Sequence, residues 1–136
     1  MTRIVHLIFG ALFLLSAGLQ WNDTDPHVWA PYYTLAGVGA ILAGLTKNLR
    51  FIQWMCLGAS LILMLDTAPG LVQNLTNNDG FDLSRMSPER PYVEESREFG
   101  GALIVGTWSV FALVAAIRRK DNHSSSSGGI PNSSNQ

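Results

Sequence analysis

Two short polar stretches carry most of the chemistry-capable side chains that interrupt long apolar runs. One is Asn22-Asp23-Thr24-Asp25-Pro26 and the other is Glu94-Glu95-Ser96-Arg97-Glu98, with Asp66 closing a third apolar run. On a helix, Glu94, Arg97 and Glu98 share a face at spacings of three and four. One guanidinium among several carboxylates allows two arrangements. In the structural one, Arg97 holds Asp23 or Asp25 through two bonds, and the glutamates favour the positive end of their helix. In the functional one, the cluster Asn22, Asp23, Asp25, Asp66, Glu94, Arg97 and Glu98 binds a cation or small polar ligand. Oxygen donors of this kind suit calcium or magnesium. The structural arrangement takes precedence, because ion-pair networks concentrate charge without any ligand. No cofactor is expected, and a divalent cation at this cluster is the alternative.

Enzymatic chemistry has little else to build on. A proton-transfer role for Asp23, Asp25 and Glu98 lacks an accompanying nucleophile or histidine set. There is no phosphate-binding glycine loop, metalloprotease helix or nucleophile elbow. His6, His27 and His123 are scattered along the chain, and Cys56 is the only cysteine. An intrachain disulfide and a cysteine-type zinc site are therefore excluded. Nine basic against ten acidic residues leave a net charge of -1, which disfavours nucleic acid as a partner.

The elements that position these residues are apolar helices. The chain has 136 residues, 47% hydrophobic and 14% charged, against about 25% charged in a soluble domain. Its mean hydropathy of +0.17 is lowered by a polar C-terminal end. A bilayer core of ~30 Å asks for about 20 helical residues. Four runs approach that length, and the sequence predicts an all-α, four-helix transmembrane bundle. Helices are expected at about 4–20, 26–45, 50–68 and 94–118, within a domain spanning 1–120. An outer loop covers 69–93, and 121–136 forms a disordered polar tail. Run one has a cleavable signal peptide as its alternative reading, because Arg3 precedes it and Ser16-Ala17-Gly18, near its end, offers small residues at a possible cut; retention is preferred. Six Lys and Arg residues fall on the side of both termini and three on the other, so both ends are expected in the cytoplasm. Nine of the ten acids then lie on the outer side.

Several local signals refine this picture. Asp25-Pro26 is a helix start, with a capping acid followed by proline at the first helical position. Trp21, Trp29, Tyr32 and Tyr33 read as an aromatic belt at the headgroups, with Trp54 in the opposite belt. Ala36/Ala40/Gly44 and Ala102/Gly106 read as small-residue seams between helices. Asn74-Leu75-Thr76 has the pattern of a glycosylation acceptor. Residues 70–90 and 121–136 are expected to exchange their amides quickly.

Gln20-Trp21-Asn22-Asp23-Thr24-Asp25-Pro26, followed by Trp29 and Tyr32 or Tyr33, resembles the Asn-Asp-Pro-Asp-Pro connection of the transmembrane protein 220 family. Glu94-Glu95-Ser96-Arg97-Glu98 with Gly101 resembles that family's Glu-Glu-x-Arg-Glu motif ahead of its last helix. Thr24 stands where the family often has proline. The resemblance covers roughly residues 4–118. It implies a small multi-pass membrane protein and carries no activity with it. The expectation is thus an integral membrane protein in contact with the bilayer. It would act through a membrane partner, as a complex subunit or as a homo-oligomer; cation binding or transport at the outer carboxylates is the alternative.

Overall fold

The computed structural model describes residues 2–22, 25–45, 50–77, 80–83 and 90–127, with side chains described at 3–21, 25–45, 50–77, 80–83 and 90–118. These residues form α1 (Thr2–Leu19), a 3-10 turn (Gln20–Asn22), α2 (Pro26–Leu45), α3 (Arg50–Thr76) and α4 (Pro91–Ser127). No strand occurs among the described residues.

Each helix divides into two stripes at helical spacing. On α1, His6, Gly10, Phe13 and Ala17 are buried, whereas Ile4, Ile8, Leu12, Leu15 and Leu19 are exposed. On α3 the division is inverted relative to a water-soluble helix. Gln53, Cys56, Ser60, Thr67 and Asn74 point inward, and Phe51, Trp54, Met55, Leu61, Ile62, Leu65 and Val72 point outward. Water would penalise so large an exposed apolar surface, and hydrocarbon would penalise the polar residues if they faced out. Helices α2, α3 and α4 are long and apolar enough to cross a membrane, and α1 is a shorter apolar helix. The architecture is an all-α membrane bundle.

The helices run up, down, up and down. A Cβ placed on Gly10 would lie 3.1 Å from the Gly37 carbonyl oxygen, and one on Gly37 would lie 3.1 Å from that of Gly10. The α1 and α2 backbones therefore touch, as lipid-embedded helices do at small residues. In the α3–α4 pair, Gly106 faces Ser60, Gly70 faces Glu95, and Arg50 donates to the Ala116 carbonyl at 3.1 Å. Tyr32 against Ser60 and Gln53 against the Gly39 carbonyl join the two hairpins through α2 and α3. The start of α1 and the end of α4 lie at the same end of the bundle. The expected seams are internal: Ala36, Ala40 and Ala102 are fully buried.

Three sequence expectations are corrected. First, α3 runs to Thr76 and not to about 68, because Pro69 is accommodated inside it at the cost of one backbone bond. The connection to α4 shortens accordingly, and Asp66 lies inside the helix. Second, α4 starts at Pro91, where the Arg90 carbonyl accepts the Val93 amide at 3.1 Å, and continues to Ser127, beyond the expected end near 118. Residues 128–136 of the expected tail lie outside the described residues. Third, Trp29, Tyr32 and Tyr33 are buried in the core and do not form a belt. Trp29 retains only 4% exposure, whereas Trp21 is 80% exposed.

Candidate functional site

Three polar regions stand out. The first lies where α3 ends and α4 begins. Asn74 is 0% exposed. Its amide nitrogen donates to the Asp82 carbonyl at 2.7 Å and to Ser96 Oγ at 2.9 Å, and its amide oxygen accepts the Asp82 N–H at 3.1 Å. Ser96 Oγ donates to the Tyr92 carbonyl at 2.6 Å, with the Gly70 carbonyl at 3.4 Å. Asn77 donates to the Tyr92 hydroxyl at 2.7 Å, and Arg90 pairs with Asp82 at 3.4 Å. One buried amide thus ties both helix ends to the connection between them. A buried asparagine with donors and acceptor engaged has no room for a glycan, so this fold is incompatible with the acceptor reading of Asn74.

The second region is the bundle interior. Tyr32 and Ser60 share a 2.6 Å hydroxyl bond, and Ser60 donates to the Cys56 carbonyl at 2.7 Å. Gln53 reaches the Gly39 carbonyl at 3.2 Å. Tyr33 places its hydroxyl over Gly101, where a Cβ would collide with that oxygen. Here glycine is needed for close approach: the second motif's glycine makes room for an aromatic of the first. His6 and Phe13 of α1 reach Trp108 of α4, with ring centroids at 5.6 and 5.8 Å. These bonds and ring contacts fix the four helices relative to one another.

The third region holds the sequence-selected residues. Asn22 ends the 3-10 turn, its side chain lies outside the described set, and Asp23 lies outside the described residues altogether. Asp25 is exposed and caps α2, its carbonyl accepting the Val28 and Trp29 amides at 3.2 and 3.4 Å. Glu94 and Glu98 are half-buried in the first turns of α4, and Arg97 is exposed. No ion pair joins Asp25 to Arg97, which corrects one of the two expected bridges; the Asp23 alternative falls outside the described residues. Asp66 is exposed on α3 between exposed Leu65 and exposed Pro69, with Ile62 one turn before it. Among the described residues no group of three or more His, Cys, Asp or Glu is placed to hold a metal.

Sequence reasoning missed Asn74 and Ser96 as the organising pair. Ser96 is the variable position inside the Glu-Glu-x-Arg-Glu pattern, and charge drew attention to its neighbours. The signal was the spacing of the polar residues Gln53, Cys56, Ser60, Thr67 and Asn74, which share one face of α3.

Inward polar faces, outward apolar faces and membrane-length helices define a multi-pass integral membrane protein. Its membership can be stated more narrowly. The family model described as Transmembrane family 220, helix, matches residues 12–114, a span that includes both motifs, and the chain belongs to that family. No solved structure matches the chain.

Proposed function

We propose that this chain is a membrane-embedded subunit that works by docking another membrane protein, with Asp66 at the contact. The carrying observation is the position of Asp66. Helix α3 has 27 residues, about 40 Å at 1.5 Å per residue, which exceeds a ~30 Å hydrocarbon core. Tyr32 pairs with Ser60 and the Gly39 carbonyl with Gln53, so Asp66 lies level with Pro26 on the antiparallel α2. Asp66 then stands at the outer edge of the hydrocarbon, level with the start of α2, on a surface where Ile62 is 69% and Leu65 is 77% exposed. A carboxylate facing lipid is costly, and ionisable groups at a membrane boundary tend to pair with other groups. Pro69 also has no N–H to give the Leu65 carbonyl, so a second acceptor lies beside the carboxylate. Two acceptors on an apolar face suit a partner helix that brings a basic or hydroxyl side chain. The acidic end of the bundle would face away from the cytoplasm, in line with the Lys and Arg distribution.

The test is photo-crosslinking in native membranes from a benzophenone residue at Ile62. A discrete protein adduct is expected, and Asp66→Leu should abolish it without altering the thermal melt in detergent. An adduct of twice the chain mass would identify a second copy as the partner. Lipid adducts alone would overturn the docking reading. Saturable calorimetric heat with calcium, magnesium or manganese that Asp66→Asn removes would replace it with a cation site.

A further inference from the structure

A groove of about 800 Å³ opens along the outward face of α2. We propose that it binds one phospholipid, with an acyl chain along α2 and the phosphate at His27. The walls run from Trp21 and Pro26 through Ala30 and Pro31 to Leu35 and Val38. Pro26 to Val38 spans about 18 Å of helix, close to the ~15 Å of hydrocarbon in one leaflet. The volume falls within the ~300–1,000 Å³ of small-molecule sites.

The two ends differ in chemistry, as the ends of a lipid do. Deep in the groove, Leu35 and Val38 are apolar. Thr34 contributes no free donor, because its hydroxyl donates to the Ala30 carbonyl at 2.7 Å. At the mouth stand the exposed His27 imidazole and the 80% exposed Trp21 indole. A tryptophan there marks headgroup depth, and an imidazole N–H can donate to a phosphate oxygen. Pro31 leaves the His27 carbonyl without its helical donor, so a headgroup hydroxyl or ammonium has an acceptor at the same mouth. The groove lies on the outward surface of this membrane protein, where Val28 and Leu19 are also exposed apolar side chains. The bilayer is therefore the contact from which the occupant comes. This inference concerns α2 and is independent of the Asp66 docking face on α3.

The experiment reconstitutes the full chain in phosphatidylcholine vesicles doped with a phospholipid carrying a diazirine in its acyl chain. Labelled residues are mapped after irradiation, and retained phospholipid is counted by native mass spectrometry after detergent extraction. Labelling should concentrate on Ala30–Val38, with one phospholipid kept per chain. Thr34→Trp, at an exposed lining position, should fill the groove and lose both signals. Ile62→Trp, on the lipid-facing side of α3, should keep them. If Thr34→Trp is not monodisperse on gel filtration, Val38→Trp serves the same purpose. His27→Ala should lower phospholipid labelling while leaving labelling by a diazirine fatty acid unchanged; equal loss of both would overturn the headgroup assignment. Labelling spread evenly over Ile62, Leu65 and the groove, or lipid retention unchanged in the groove-filling variants, would overturn the site itself.

Discussion

At the scale of single residues, Asn74 shows how a polar side chain acquires weight in a membrane bundle. Its one amide serves the Asp82 backbone twice and Ser96 once. Asn74→Ala leaves those groups to find other partners in a partly water-excluded junction. Loss of a buried partner costs about 1–3 kcal/mol. A lower melting temperature of the detergent-solubilised protein is therefore expected, with a larger drop than for exposed Thr76→Ala. Equal drops would show that the amide network adds nothing to stability. Tyr32 and Ser60 use the same economy deeper in the bundle, where hydroxyls meet each other and helix carbonyls in place of water.

At the scale of elements, α3 is the helix on which the polar contacts converge. It gives Gln53 to α2, Ser60 to both α2 and α4, and Asn74 to α4 and the connection. Pro69 sits within it, and the helix continues for two further turns because Gly70 packs under Glu95 and Asn74 anchors the end. Amides 71–76 and that of Asp82, which donates to Asn74, should therefore be strongly protected from hydrogen exchange, while those of Phe81 and Leu83, exposed and outside any regular element, should exchange fast. Mass-spectrometric exchange on the purified protein reads both segments. Exchange of 71–76 as fast as that of Phe81 and Leu83 would mean that the last turns of α3 are not held by α4.

At the scale of the whole molecule, two antiparallel hairpins share one aromatic and small-residue core. The start of α1 and the end of α4 lie at one end of the bundle, as four helices in antiparallel order demand. Which side that end faces follows from charge. Arg50, which reaches the Ala116 carbonyl, and the Arg118-Arg119-Lys120 run of α4 lie at the end that holds the start of α1. The positive-inside rule predicts that this end faces the cytoplasm. A green fluorescent protein fused after Lys120 should fluoresce, and an alkaline phosphatase fused there should be inactive in a bacterial host. The reverse pattern would invert the orientation.

The helix count, the apolar runs, the start of α2 at Asp25-Pro26 and the two family motifs were legible in the sequence. Each depends on local composition: backbone in hydrocarbon must satisfy its own hydrogen bonds, so an apolar run of sufficient length becomes a helix. What the sequence could not decide was which apolar face turns inward. Lipid and protein core are equally apolar, so Trp29 and Tyr33 carry no hydropathy signal that separates a headgroup belt from a buried core. Only tertiary packing put them inside, where Gly101 leaves room for the Tyr33 hydroxyl. The end of α3 was equally undecided, because Pro69 and Gly70 read locally as a break. Contacts with Glu95 and Ser96, more than twenty residues away along the chain, supply the packing that carries the helix past them. Asp66 was visible as an acid at a helix end; its place on an outward face inside a continuous helix was decided by the fold, because burial depends on neighbours that local sequence does not specify.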